Sequence, residues 1–232
     1  MWRLAAFVAA LAAPAAAENV VEARYDAPTT RYAHGVLGDA IEWGALVMEV
    51  EGGRTVRLVL PQERVFEDVA PRLYDVDGDG DNEVIVVESH QAVGARLAIY
   101  DPGGLVAAND YIGQANRWLA PIGVGAADFD GDGLVELVYI DRPHLAKTLR
   151  VFTFVDGALK PIARFPGVTN HRIGESDIAG GIRYCGRGPE MIVASVNWER
   201  VLSLGFNGQR FALNDLAPHE GRESFARAMA CE

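Results

Sequence analysis

The sequence predicts an all-β protein: a small β-propeller of about four four-stranded blades with a short C-terminal helical tail. Three observations carry this. An acidic loop occurs twice, "DVDGDGDNE" from Asp75 and "DFDGDGLVE" from Asp128, 53 residues apart. Glycine-containing turns recur at a matching distance behind it, at Gly52-Gly53, Pro102-Gly103-Gly104, Asp156-Gly157 and Asn207-Gly208. Such turns supply the positive φ that tight hairpins need. The segments after the acidic loops, Val84-Ile85-Val86-Val87 and Leu137-Val138-Tyr139-Ile140, are apolar without alternation, as expected of a strand covered on both faces.

In chain order, residues 1–17 read as a signal peptide. Arg3 is the charge of a short n-region, "LAAFVAALAA" is the apolar stretch, and Ala15-Ala16-Ala17 has the small residues of a cleavage site. The propeller then spans 18–216, in repeats of approximately 20–68, 69–117, 118–170 and 171–216, and 217–232 form the tail. Steps of 49 residues outward from the two acidic loops place Asp26 and Asp177 in the same register. Asp39, Glu88 and Asp141 then end the second strands, with Ser195 in that place in the fourth unit. The predicted strands are "VVEARY", "HGVLGD", "ALVMEV" and "RTVRLVL"; "RLY", "EVIVVES", "ARLAIY" and "LVAAND"; "GVGAAD", "ELVYID", "LRVFTFV" and "LKPIARF"; and "RIGESD", "PEMIVAS", "RVLSLGF" and "RFALND". Four-stranded sheets stacked around an axis leave only short edges exposed.

The chain has 232 residues, half of them hydrophobic, enough for one sizeable core. Its formal charge of −11 becomes −12 when Arg3 leaves with the leader. That balance disfavours nucleic acid, which wants clustered Lys and Arg. No later segment is apolar for the roughly 18 residues that suggest a membrane span, so no transmembrane segment is expected and the protein reads as periplasmic or secreted. In an oxidising compartment the two cysteines, Cys185 and Cys231, suggest a disulfide. It would pin the tail beneath the fourth blade, where the first acidic loops have no counterpart.

The two acidic stretches resemble the FG-GAP or VCBS-type repeats of integrin-α-like propellers. In that family a D-x-D-x-D-G-x-x-D/E loop joins the first two strands of a blade and binds calcium. The resemblance therefore implies two structural Ca2+ sites. Calcium takes six to eight oxygen ligands in flexible geometry, and alternating acids in a glycine-containing turn supply them. The first set is Asp75, Asp77, Asp79, the carbonyl of Asp81, and Glu83. The second is Asp128, Asp130, Asp132, the carbonyl of Leu134, and Glu136. Units one and four lack the acid ladder and are assigned no metal.

No nucleophile elbow, P-loop or HExxH motif is present, so no catalytic residue is assigned. The loops opposite the acidic rim collect His90, Arg117, Trp118, Arg142, His144, His171, Arg172 and Trp198 as a candidate binding face. Asp39, Glu88 and Asp141 would form a partial carboxylate ring there, or else pair with neighbouring Arg and loop amides. The reading is an exported, non-catalytic, calcium-binding scaffold for a protein or glycan partner. A lectin-like propeller with Trp118 and Trp198 stacking on sugars is one alternative. A hydrolase or lyase built on Asp141, His144 and His171 is another.

Overall fold

The computed structural model describes residues 18–232, and the expected leader at 1–17 lies outside the described residues. Unit one is a three-stranded meander of β1 (Val20–Thr29), β2 (Glu42–Val50) and β3 (Arg54–Val59). Unit two has β4 (Arg64–Phe66), β5 (Arg72–Tyr74), β6 (Glu83–His90), β7 (Gly94–Asp101) and β8 (Gly104–Ala108). Unit three has β9 (Leu119–Ala127), β10 (Glu136–Asp141), β11 (Thr148–Val155) and β12 (Ala158–Pro166). Unit four has β13 (Val168–Thr169), β14 (Gly181–Tyr184), β15 (Pro189–Ser195), β16 (Arg200–Phe206) and β17 (Phe211–Pro218), followed by α1 (Arg222–Met229). All pairings are antiparallel, and the architecture is a propeller-like fan of sheets. β4 lies between β2 and β6, through the pair Trp43 and Phe66, and joins units one and two into one eight-stranded sheet.

The inner strand of each later unit is interrupted. β4 pairs with the end of β6 and β5 with its start, leaving 67–71 between them. β9 loses register with β10 across 122–125. β13 and β14 pair with the two ends of β15, with 170–180 between them. The first and last of these interruptions carry buried polar residues, Glu67 and Asp68 in one and Asn170 and His171 in the other.

The unbroken apolar strands pack as the sequence implies. Val84 and Val86 of β6 face unit one, beside Leu46 and Met48. Ile85 and Val87 face unit three, beside Leu137 and Tyr139. Val138 and Ile140 of β10 face unit four, beside Met191 and Val193. Each such side chain contributes roughly 1.5–3 kcal/mol by leaving water. The stack ends differently on its two sides. The far face of unit four, with Ile192, Ala194 and Val201, is covered by Phe225 and Ala228 of α1. The far face of unit one is polar, with Arg24 paired to Glu49 at 3.0 Å and Arg57 to Asp26 at 2.7 Å. The ends meet through loops: Gly174 N–H donates to the Val36 carbonyl at 3.0 Å.

Three expectations are corrected. "HGVLGD" (34–39) is a loop between β1 and β2, so unit one has three strands. By direction and by its following hairpin, β1 corresponds to β6, and Asp26 lies within it, paired with Ala45. "RIGESD" (172–177) is the interruption of an inner strand, so Asp177 is not the counterpart of Asp75. Its place is taken by Cys185, because Tyr74 pairs Glu83, Ala127 pairs Glu136, and Tyr184 pairs Pro189.

Two acidic loops as candidate metal centres

Each acidic loop leaves an inner strand and enters the most buried strand of its unit. The aspartates repel one another, so the loop needs internal donors to hold its shape. Gly78 N–H donates to Asp75 Oδ1 at 2.7 Å, Gly80 N–H to Asp75 Oδ2 at 3.1 Å, and Val76 N–H to Glu83 Oε2 at 2.9 Å. The second loop repeats this: Gly131 to Asp128 Oδ1 at 2.7 Å, Gly133 to Asp128 Oδ2 at 3.1 Å, and Phe129 to Glu136 Oε2 at 2.8 Å. Gly78, Gly80, Gly131 and Gly133 all have positive φ, which lets consecutive N–H groups turn inward.

The result is two clusters of three converging carboxylates, Asp75, Asp77 and Glu83, and Asp128, Asp130 and Glu136, with oxygens within 4.8 Å of one another in each. Asp79 and Asp132 stand a step outside, accepting from Asp81 N–H at 2.9 Å and Leu134 N–H at 2.8 Å. Among the described residues no Lys, Arg or His pairs with any of these acids. Burial, reinforced by the neighbouring aspartates, pushes Glu83 and Glu136 each up to about 7. An oxygen-only, negatively charged, flexible donor set of this kind fits a hard divalent cation.

In unit four the same corner is a short turn at 185–188. Cys185 forms a disulfide with Cys231, Cα to Cα 5.8 Å, which ties the end of the chain to the base of β14.

The opposite rim departs from the expected face. Trp118 and His171 are 2% and 0% exposed. The Trp118 indole N–H donates to the Glu67 carbonyl at 2.7 Å, and its ring packs against His171 and His144. Trp118 therefore cannot stack on an incoming sugar. Arg172 and Trp198 sit apart, the guanidinium 4.2 Å from the indole centre, beside Phe225 of α1. His90 packs on Tyr111. Arg117, Arg142 and His144 do come together, around a cleft that His34 also lines. The proposed carboxylate ring is absent. Glu88 accepts from Tyr100, Tyr111, Arg64 and Arg96. Burial would raise its pKa, but these partners outweigh that and hold it below the ordinary range. Asp141 pairs with Arg142 and Arg150, and Asp39 accepts from Ile41 N–H.

Sequence reasoning gave no role to Glu67 or to His34. His34 Nδ1 lies 2.6 Å from Glu67 Oε1, and Ser89 Oγ bonds the other oxygen. No local signal marks Glu67, since its burial comes from units one and three closing over it.

A family model of the FG-GAP-like repeat matches residues 75–139, from the first acidic loop into the strand that follows the second. No curated protein and no solved structure matches the chain.

Proposed function

We propose that this repeat-bearing chain is an exported, non-catalytic binding or scaffold module whose two acidic loops hold structural calcium. One observation carries the reading: the same three-carboxylate convergence, with matching hydrogen bonds, is built twice without a cationic side chain. Asp75, Asp77, Asp79 and Glu83, with the Asp81 carbonyl, would hold one ion. Asp128, Asp130, Asp132 and Glu136, with the Leu134 carbonyl, would hold the other. A bound ion cancels the repulsion and locks the entry to β6 and β10. The disulfide supports export, since such bonds persist in oxidising compartments. No helix among the described residues is long and apolar enough to cross a membrane. Protein partners fit this reading best, because Trp118 is committed to the interior. Calorimetric titration of the chelator-stripped protein tests the calcium assignment. Two equivalents of Ca2+ are expected, and heats no larger than dilution would exclude it.

A further inference from the structure

The cleft on the rim opposite the acidic loops measures about 200 Å³. A cavity of about 150 Å³ admits benzene, so this one has room for a single side-chain-sized group. Its chemistry is unusual for a chain of charge −11: two guanidinium groups line it and no carboxylate does. Arg117 forms no ion pair among the described residues, and its one side-chain hydrogen bond goes to the adjacent Asn116 carbonyl at 2.8 Å. Arg142 commits Nε and Nη2 to Asp141, which leaves Nη1 uncommitted.

The imidazoles add an acceptor. His171 Nε2 lies 2.8 Å from the Glu175 carbonyl, which can only accept, so that nitrogen carries the proton. His171 Nδ1 must then accept from His144 Nε2–H at 2.9 Å. His144 Nδ1 keeps a lone pair. Burial, then the adjacent His171, hold His144 down to about 4, so His144 is neutral at neutral pH and acts there as an acceptor beside the two arginines. Two of the seven non-glycine residues with positive φ among the described residues, Asn116 and Arg142, line this same cleft. Such conformations persist only where the surroundings hold them, and they gather at ligand sites. Leu145 and Ile173 at its edge are 64% and 71% exposed, leaving aliphatic surface for a ligand to cover.

We infer that this cleft binds a carboxylate carried on a small apolar group, either the C-terminal residue of a peptide or a free acid of that size. The inference rests on reading the chain as a binding module. Arg117 and the free edge of Arg142 would take the carboxylate by charge-assisted hydrogen bonds. His144 Nδ1 would accept the adjoining N–H, and Leu145 and Ile173 would contact the apolar body.

The test is calorimetry of the calcium-loaded protein with N-acetyl-leucine, its amide, and a tetrapeptide ending in leucine with a free or an amidated terminus. Both free acids should bind saturably, with the amides at least tenfold weaker. Arg117→Gln should weaken the acids about tenfold and leave the amides unmoved. Tighter binding of the tetrapeptide assigns the site to peptide termini, and equal affinity assigns it to free acids. Acid and amide binding alike, or no saturation at millimolar concentration, overturns the proposal without relying on any variant. Should the acids fail while the native chain still retains an envelope protein, only the cleft assignment falls. Should nothing be retained either, the module reading falls with it.

Discussion

Cys185 occupies the corner that Asp75 occupies in unit two, and where the aspartate anchors an acidic loop the cysteine is bonded to Cys231. One corner has been built with converging carboxylates and the other with a covalent bond. The bridge spans 46 residues, and closing such a loop stabilises by roughly 4 kcal/mol on the chain-entropy model. Cys185→Ser with Cys231→Ser should lower the melting temperature and raise amide exchange first in α1. Phe225 and Ala228 would then leave the face of β15 and β16 uncovered. Calcium stoichiometry should stay at two, because the converging carboxylates lie in units two and three and the bridge in unit four. An unchanged melt would show that α1 is held by packing alone.

Asp77→Asn combined with Asp130→Asn should give a crossing pair of melts. In chelator the double variant should be the more stable, by on the order of 1 kcal/mol, because a repelling charge is gone from each cluster. With calcium at about a hundredfold excess over its dissociation constant, each wild-type site should gain about 2.7 kcal/mol, and the variant should lose most of that gain. Parallel shifts in both conditions would mean that the aspartates do not face a cation.

The acidic loops were legible because everything that makes them is local: acids, glycines and apolar strand lie within 75–87 and 128–140. Counting outward failed in both directions for definite reasons. Unit one has no inner strand among the described residues, so a fixed step landed on Asp26 inside β1. Unit four interrupts its inner strand across 170–180, so the step fell short of Cys185. Trp118 looked like a surface aromatic because Asn116 and Arg117 precede it. It is buried because β9 begins at the next residue and carries it under Glu67. Glu67, Trp118 and His171 come from three units, and only tertiary packing brings them together.

Stability should fall as pH drops from about 6.5 toward 4, in part through His144. Its folded pKa is held down to about 4, first by burial and then by His171, with His34 and Lys147 adding to it. A depressed pKa means that the unfolded chain takes up the proton first. The contribution is therefore present above the unfolded value near 6.5 and is lost as pH falls through the folded one. The ring is partly solvated, so the loss should be on the order of 1 kcal/mol. Denaturant melts in saturating calcium, comparing wild type with His144→Gln, isolate it. The variant should show a shallower acid decline, and identical slopes would assign the decline to other groups.

Gly38→Ala should separate the two ends of the fan without melting its sheets. Gly38 has φ +97°, and a Cβ there would lie 2.7 Å from the carbonyl oxygen of Gly174. The conformation is unfavourable for alanine and the collision is with backbone, so roughly 1–3 kcal/mol should be lost from this contact. The sheets do not depend on it, because the faces of units one and four do not pack on each other: one is polar and the other is covered by α1. The loss should therefore be local. Hydrogen exchange should rise across 31–39 and 171–178, while amides of β6 and β10 keep their protection. His34 rides on the loosened loop, so its bond to Glu67 should weaken and the cleft beside it should widen. Uniformly faster exchange through β6 and β10 would show instead that the loop contact is part of one cooperative unit and that the fan needs its ends joined to fold.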